Sequence, residues 1–124
     1  VAGYLILAAD FGKDSVWENV RPIEGVGVTA KAAREKKTIL VPDTRVNPDF
    51  VKGKVDSLSE LVVPILHGEE LLGVINVESL ELNAFGEDEK ILVEILAAEV
   101  SSAVMRVKTQ QLENSYKRID LLVK

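Results

Sequence analysis

The sequence predicts an α+β domain, and two observations carry that prediction. The first two-thirds consists of short apolar runs broken by Gly, Pro, Asn and Asp, whereas after Gly86 there is neither Pro nor Gly and apolar residues recur at helical spacing. The opening "VAGYLILAAD" is a strand with Tyr4, Ile6 and Ala8 on one face and Leu5 and Leu7 on the other, so both faces are expected to be covered. It begins without a start methionine, and an element upstream is expected. "DFGKD" is a turn, and "SVWENVRP" returns as an antiparallel strand stopped by Pro22, with Trp17 packed against a neighbouring strand. In "IEGVGVTAKAAREKK", Gly25 and Gly27 let the chain turn and Thr29 starts a short helix; the glycine spacing fits no phosphate-binding pattern, so the turn is read as structural. "TILVPD" is a short strand closed by Pro42 and Asp43. The aperiodic stretch from Thr44 to Ser59 is the expected lid.

The segment "SELVVPILHGEELLGVINVES" is a hairpin with "HGEE" as its turn. Alternation puts Leu61, Val63 and Ile65 on one face, joined by Ile75 and Val77 of the return strand. That face is plain core. The other collects Glu60, Asn76 and Glu78 beside Val62 and Val74, a mixture that a buried strand face does not need. The last element, from Phe85 on, opens with Glu87, Asp88 and Glu89 at the positive end of a helix and carries Ile91, Leu92, Ile95, Leu96, Val100, Ala103 and Val104 at helical spacing. Beyond it, Met105, Thr109, Leu112, Tyr116, Ile119 and Val123 follow at alternating intervals of four and three, the pattern of a coiled-coil seam. Such a seam predicts a second copy of the chain.

Composition narrows the function. The formal charge of −5 and pI near 4.9 argue against a nucleic-acid surface, and the basic patch at Lys31, Arg34, Lys36 and Lys37 reads as an ordinary helix face. No apolar run approaches the roughly 18 residues of a membrane span, and no signal-peptide pattern is present, so a cytoplasmic protein is expected. The chain contains no cysteine, which removes disulfides, thiolate metal sites and a cysteine nucleophile. No metal-ligand cluster stands out. His67, the sole histidine, falls in the hairpin turn, a poor place for a haem ligand.

Five ordered segments, "IEGVGVTAKAAREKKTILVPD", "NPDF", "SELVVPI", "ELLGVINVES" and "AFGEDEKILVEILAAEVSSAV", make the stretch from Ile23 to about Ala103 resemble a GAF domain, a small sensory module of signalling proteins. The resemblance implies an antiparallel sheet of about five to six strands with helices on one face, and a ligand site on the other face under a roof of loop and short helices. Glu60, Asn76 and Glu78 would point into it, with Asp43, Phe50, Ser57 and Ser59 contributed by the loop and its edges. The local likeness extends to free methionine-sulfoxide reductases, which carry similar "EGV", "LVPD" and "SE" segments. Gly27 and Gly53 stand where that pattern has cysteines, while Glu60, Asn76 and Glu78 match positions that hold substrate. "NAFGEDE" departs from the cyclic-nucleotide pattern: no lysine follows Asn83, and one residue too few separates Phe85 from Asp88.

These readings set the expectations. Residues 1–105 form a non-catalytic sensory domain, with no cofactor, for an amine or amino-acid-like ligand. Residues 106–124 continue as a coiled-coil helix that dimerises and signals to an output module such as a histidine kinase or transcription regulator. The alternatives are a purely structural dimerisation module or a catalytically dead relative of the reductases.

Overall fold

The computed structural model describes residues 3–11, 20–52, 56–107 and 116–123. The elements are β1 (Tyr4–Phe11), β2 (Val20–Pro22), α1 (Val28–Glu35), β3 (Ile39–Val41), a single 3₁₀ turn (Thr44–Val46), β4 (Ser59–His67), β5 (Glu70–Ser79), α2 (Glu87–Arg106) and β6 (Tyr116–Val123). The strands form one sheet in the order β2-β1-β6-β5-β4-β3. Short α1 covers one face and long α2 the other, so the α+β expectation holds, with the short helix in the roof. Trp17 and its turn lie outside the described residues.

Helix α1 begins one residue after Gly27, whose φ of 107° is open to glycine and strained for other residues. Thr29 is therefore not the cap that its sequence position suggests; it is buried inside the first turn. Val28, Ala32 and Ala33 face the sheet and pack with Leu5, Val41, Val62, Leu71 and Val74. Three of those contacts depend on small or β-branched side chains, which let the helix axis lie close to the strands.

The β4–β5 hairpin forms as the alternation requires. Glu60 pairs with Glu78, Val62 with Asn76 and Pro64 with Val74, across a turn at Gly68 with φ of 59°. The opposite face, Leu61, Val63, Ile65, Ile75 and Val77, joins Phe85 and Ala97 in the α2-side core. At the start of α2 the Glu89 carboxylate accepts from the Gly86 amide at 2.6 Å, and Ser101 Oγ donates to the Leu66 carbonyl at 2.7 Å.

The C-terminal expectation is corrected. Helix α2 ends at Arg106, and residues 116–123 form a strand between β1 and β5, parallel to both. Tyr116, Ile119 and Val123 are thus sheet residues, not members of a seam; Thr109 and Leu112 lie outside the described residues. A period of two serves the segment equally well. Ile119 and Leu121 join the α2-side core, while Arg118 and Asp120 are buried on the α1 side. Elements β5, α2 and β6 make a βαβ unit, in which a helix carries the chain back so that the next strand runs parallel. Pairing on both sides relieves β1 and β5 of exposed edges, a gain that only long-range contact delivers. The sheet is accordingly mixed.

The fit of β6 depends on Gly73. A Cβ built there would lie 2.3 Å from the Lys117 carbonyl oxygen, closer than any side chain tolerates. Gly73→Ala is expected to cost about 1–3 kcal/mol in urea unfolding and to speed amide hydrogen exchange in β6 ahead of β4. Unchanged stability and exchange would refute the β5–β6 ladder.

Candidate functional site

The polar residues singled out on the hairpin do converge. Glu60, Asn76 and Glu78 are 5%, 2% and 4% exposed, and with Arg118 they line a hollow closed by Gly27, Val28, Thr29 and Val51. Its volume is about 20 Å³, room for about one water-sized group. The first turn of α1 thus faces three strands across a space that fits a headgroup rather than a whole ligand.

Sequence reasoning missed the third wall. Strand β6 supplies Arg118 and Asp120, each 2% exposed. The guanidinium grips the carboxylate at both ends, Nε to Oδ1 at 2.8 Å and Nη2 to Oδ2 at 2.6 Å. Asn76 Nδ2 donates to Asp120 Oδ1 at 3.1 Å and to Glu78 Oε2 at 3.3 Å. Asn76 Oδ1 has no hydrogen-bond partner among the described residues. The alternation in "YKRIDLLV" is the one signal that marks these residues, and the heptad intervals mask it.

Glu60 and Glu78 stand directly opposite on neighbouring strands, an arrangement that like charges disfavour. Burial pushes the Glu78 carboxyl above its ordinary range and the Asp120 charge adds to this, while the Ser57 hydroxyl, Arg118 and Asn76 draw it back. The first turn of helix α1 lies across the hollow from the same carboxylates. Among the described residues no group of three or more His, Cys, Asp or Glu side chains is arranged to hold a metal ion.

The remaining site expectations divide. Ser57 is buried beside Glu78 and also lines a second cavity of about 390 Å³, with Phe50, Leu58 and Thr44. Phe50 packs on the α1-side core. Asp43 caps the 3₁₀ turn and binds Arg45 through Nε and Nη2, both at 2.9 Å, so it is a structural residue. Ser59 alternates onto the other face and staples the next turn, donating to the Glu81 carbonyl at 2.6 Å and accepting from the Ala84 amide at 3.3 Å. Within the expected lid, Thr44 Oγ1 donates to the Ser57 carbonyl at 2.8 Å and Lys31 pairs with Asp49 at 2.8 Å, while residues 53–55, Gly53 among them, lie outside the described residues. His67 is exposed at the hairpin end.

A mixed sheet carrying a long helix on one face and a roofed polar hollow on the other defines an α+β module. The GAF domain family model matches residues 3–105, and the chain belongs to that family. A GAF domain-containing protein of Dictyostelium discoideum is 39% identical over 74 residues, 59% of this chain and 47% of the relative. The free methionine-R-sulfoxide reductase of Saccharomyces cerevisiae is 36% identical over 74 residues, 59% of this chain and 41% of the enzyme. The chain thus matches less than half the length of these curated relatives. The type II free methionine-R-sulfoxide reductase of Thermoplasma acidophilum superposes with a TM-score of 0.73 at 20% identity, over 94% of this chain and 81% of that one, a likeness of fold.

These relatives correct the expectation that the domain is not an enzyme. The chain's similarities run to reductases, and the lack of cysteine is not evidence against activity; it bears only on which groups would act. No helix among the described residues is long and apolar enough to cross a membrane.

Because the raised Glu78 value lies above that of the unfolded chain, folding favours its protonated form. Its contribution to stability is greatest below the unfolded pKa and is lost as pH rises through the folded one. Glu78→Gln escapes that loss. The variant is expected to be more stable than the parent by roughly 1–3 kcal/mol at neutral pH, with the gap closing in acid, as read by urea denaturation across pH.

Proposed function

We propose that this GAF domain binds a small molecule through a primary ammonium group seated in the hollow between β4, β5 and β6. The observation that carries the reading is the convergence of Glu60, Asn76 and Glu78, all buried, on a space of about 20 Å³. Glu60, Glu78 and Asp120 are three buried carboxylates beside one buried guanidinium, Arg118, and an ammonium group brings a further positive charge and three donors. An α-amino acid carries such an ammonium group. Its side chain would extend towards the second cavity, whose wall includes Phe50 and Leu58. The free methionine sulfoxide named for the reductase relatives belongs to this chemical class.

Calorimetric titration with L-leucine, L-methionine, free methionine-R-sulfoxide and n-butylamine tests the reading. Saturable binding is expected, weakened about tenfold, or ~1.4 kcal/mol, by Glu60→Gln or Glu78→Gln. Affinity should rise from acid to neutral pH as Glu78 releases its proton, and fall again where the ligand amine loses its own. A parent protein that binds none of the four overturns the proposal. Disappearance of the sulfoxide in the presence of a thiol reductant would extend the reading from binding to turnover.

A second reading concerns partners. Ile91, Leu92, Ile95 and Leu96 on α2 are 43–66% exposed, a cluster of aliphatic side chains that water disfavours. We infer that two copies pair through antiparallel α2 helices, which sets the acidic turn Glu87, Asp88 and Glu89 of one against Arg106 of the other. The parent should sediment as a dimer at tens of micromolar and Leu92→Glu with Ile95→Glu as a folded monomer; a monomeric parent refutes the pairing.

A further inference from the structure

Two of the buried charges at the hollow, Arg118 and Asp120, lie beyond residue 105, where the family match ends. Asp120 stands opposite Asn76 in the β5–β6 ladder. It accepts from Asn76 Nδ2 at 3.1 Å, while Glu78 accepts from the same nitrogen at 3.3 Å. Both N–H groups of that amide are therefore committed to carboxylates. Rotating the amide by half a turn would set its carbonyl oxygen against two negative groups, which is repulsive. The orientation leaves Oδ1 as the polar atom that Asn76 offers to the hollow it lines, and that atom has no partner among the described residues although the residue is 2% exposed. An unpaired buried acceptor costs about 1–3 kcal/mol, so the arrangement calls for a donor from outside.

We propose that Asp120, gripped by Arg118, is a positioning residue: it fixes the Asn76 amide with its carbonyl towards the hollow and thereby makes the site select ligands with several N–H donors over those with one O–H. The inference rests on the ammonium-binding reading above and adds a specificity role for a strand that the family match does not include. Arg118 acts one step further back. Its two hydrogen bonds hold the Asp120 carboxylate where Asn76 meets it, so the order of action runs Arg118, Asp120, Asn76, ligand. The close approach at Gly73, where any Cβ would meet the Lys117 carbonyl, keeps β6 near enough for this relay.

The test compares n-butylamine with n-butanol, two probes alike in shape, on the parent and on Asp120→Asn, and observes the Asn76 side-chain NH₂ by ¹H–¹⁵N NMR. In the parent, the amine should be strongly preferred and both amide protons should exchange slowly with water. In the variant, the amine-to-alcohol affinity ratio should fall about tenfold and one of the two protons should lose its protection. A ratio unchanged in a folded variant overturns the proposal, and so does fast exchange of both protons in the parent. If Asp120→Asn does not fold, the parent spectrum decides alone. Should the parent bind neither probe, the ammonium-binding reading fails, while the spectrum still tests the positioning of Asn76 by itself.

Discussion

One buried guanidinium set among three buried carboxylates is the interaction on which the rest of this domain depends. Arg118 pairs with Asp120 at 2.6 Å, and Glu78 from the adjacent strand β5 and Glu60 from β4 beyond it complete the group. The pair is made within one strand, between residues two apart that share a face, so its geometry comes with the extended backbone. Its position does not. Only when β6 slots between β1 and β5 do these charges reach the sheet centre, and only the hydrogen bonds of two parallel ladders and the burial of Ile119 and Leu121 offset the cost of taking them out of water. The fold thus holds a charge cluster that an isolated hairpin would leave in solvent.

That cluster explains why the hollow is small and polar. Each strand contributes to its α1 face in register: Glu60 from β4, Asn76 and Glu78 from β5, Arg118 and Asp120 from β6. The apolar residues next to them, Val62 and Val74, pack under α1 and bring its first turn down as a lid over the charges. A residue pair that faces solvent in an open sheet is in this way buried by its own neighbours. In the proposed binding reaction, ligand and proton compete for one carboxylate. Glu78, raised by burial, is the group where a cation from outside gains most by displacing hydrogen ion.

The sequence disclosed the hairpin and its two faces because strand alternation is local: Glu60, Asn76 and Glu78 could be placed together from spacing alone. Phe85 at the start of α2 and the short helix after Gly27 were legible for the same reason. Asp43 and Ser59 do not line the small hollow; the partners that occupy them, Arg45, Glu81 and Ala84, are backbone and side-chain neighbours whose geometry no periodicity encodes. The C-terminal strand failed for a deeper reason. "YKRIDLLV" satisfies a period of two and a period near three and a half at once, and its residues include several that favour helices; strand formation there is decided by partners more than forty residues away along the chain, as the Gly73–Lys117 pairing illustrates.

Seating a headgroup and seating a whole ligand are separate demands, and the two cavities divide them. A space of about 20 Å³ lined by carboxylates can read charge and donor number but not side-chain size. The space of about 390 Å³ can read size, because Phe50 and Leu58 give it apolar walls, with Arg45, Lys52 and Asp56 also in its lining. Ser57 lines the larger cavity and lies beside Glu78, which lines the smaller. Discrimination in such a divided site is multiplicative: a ligand must satisfy the acidic end, where a missing donor leaves a buried acceptor unpaired, and the apolar end, where each methylene adds ~0.8 kcal/mol. The acidic end carries the steeper penalty, so chemical class is settled there, and the strand that orients Asn76 acts on the choice that matters most.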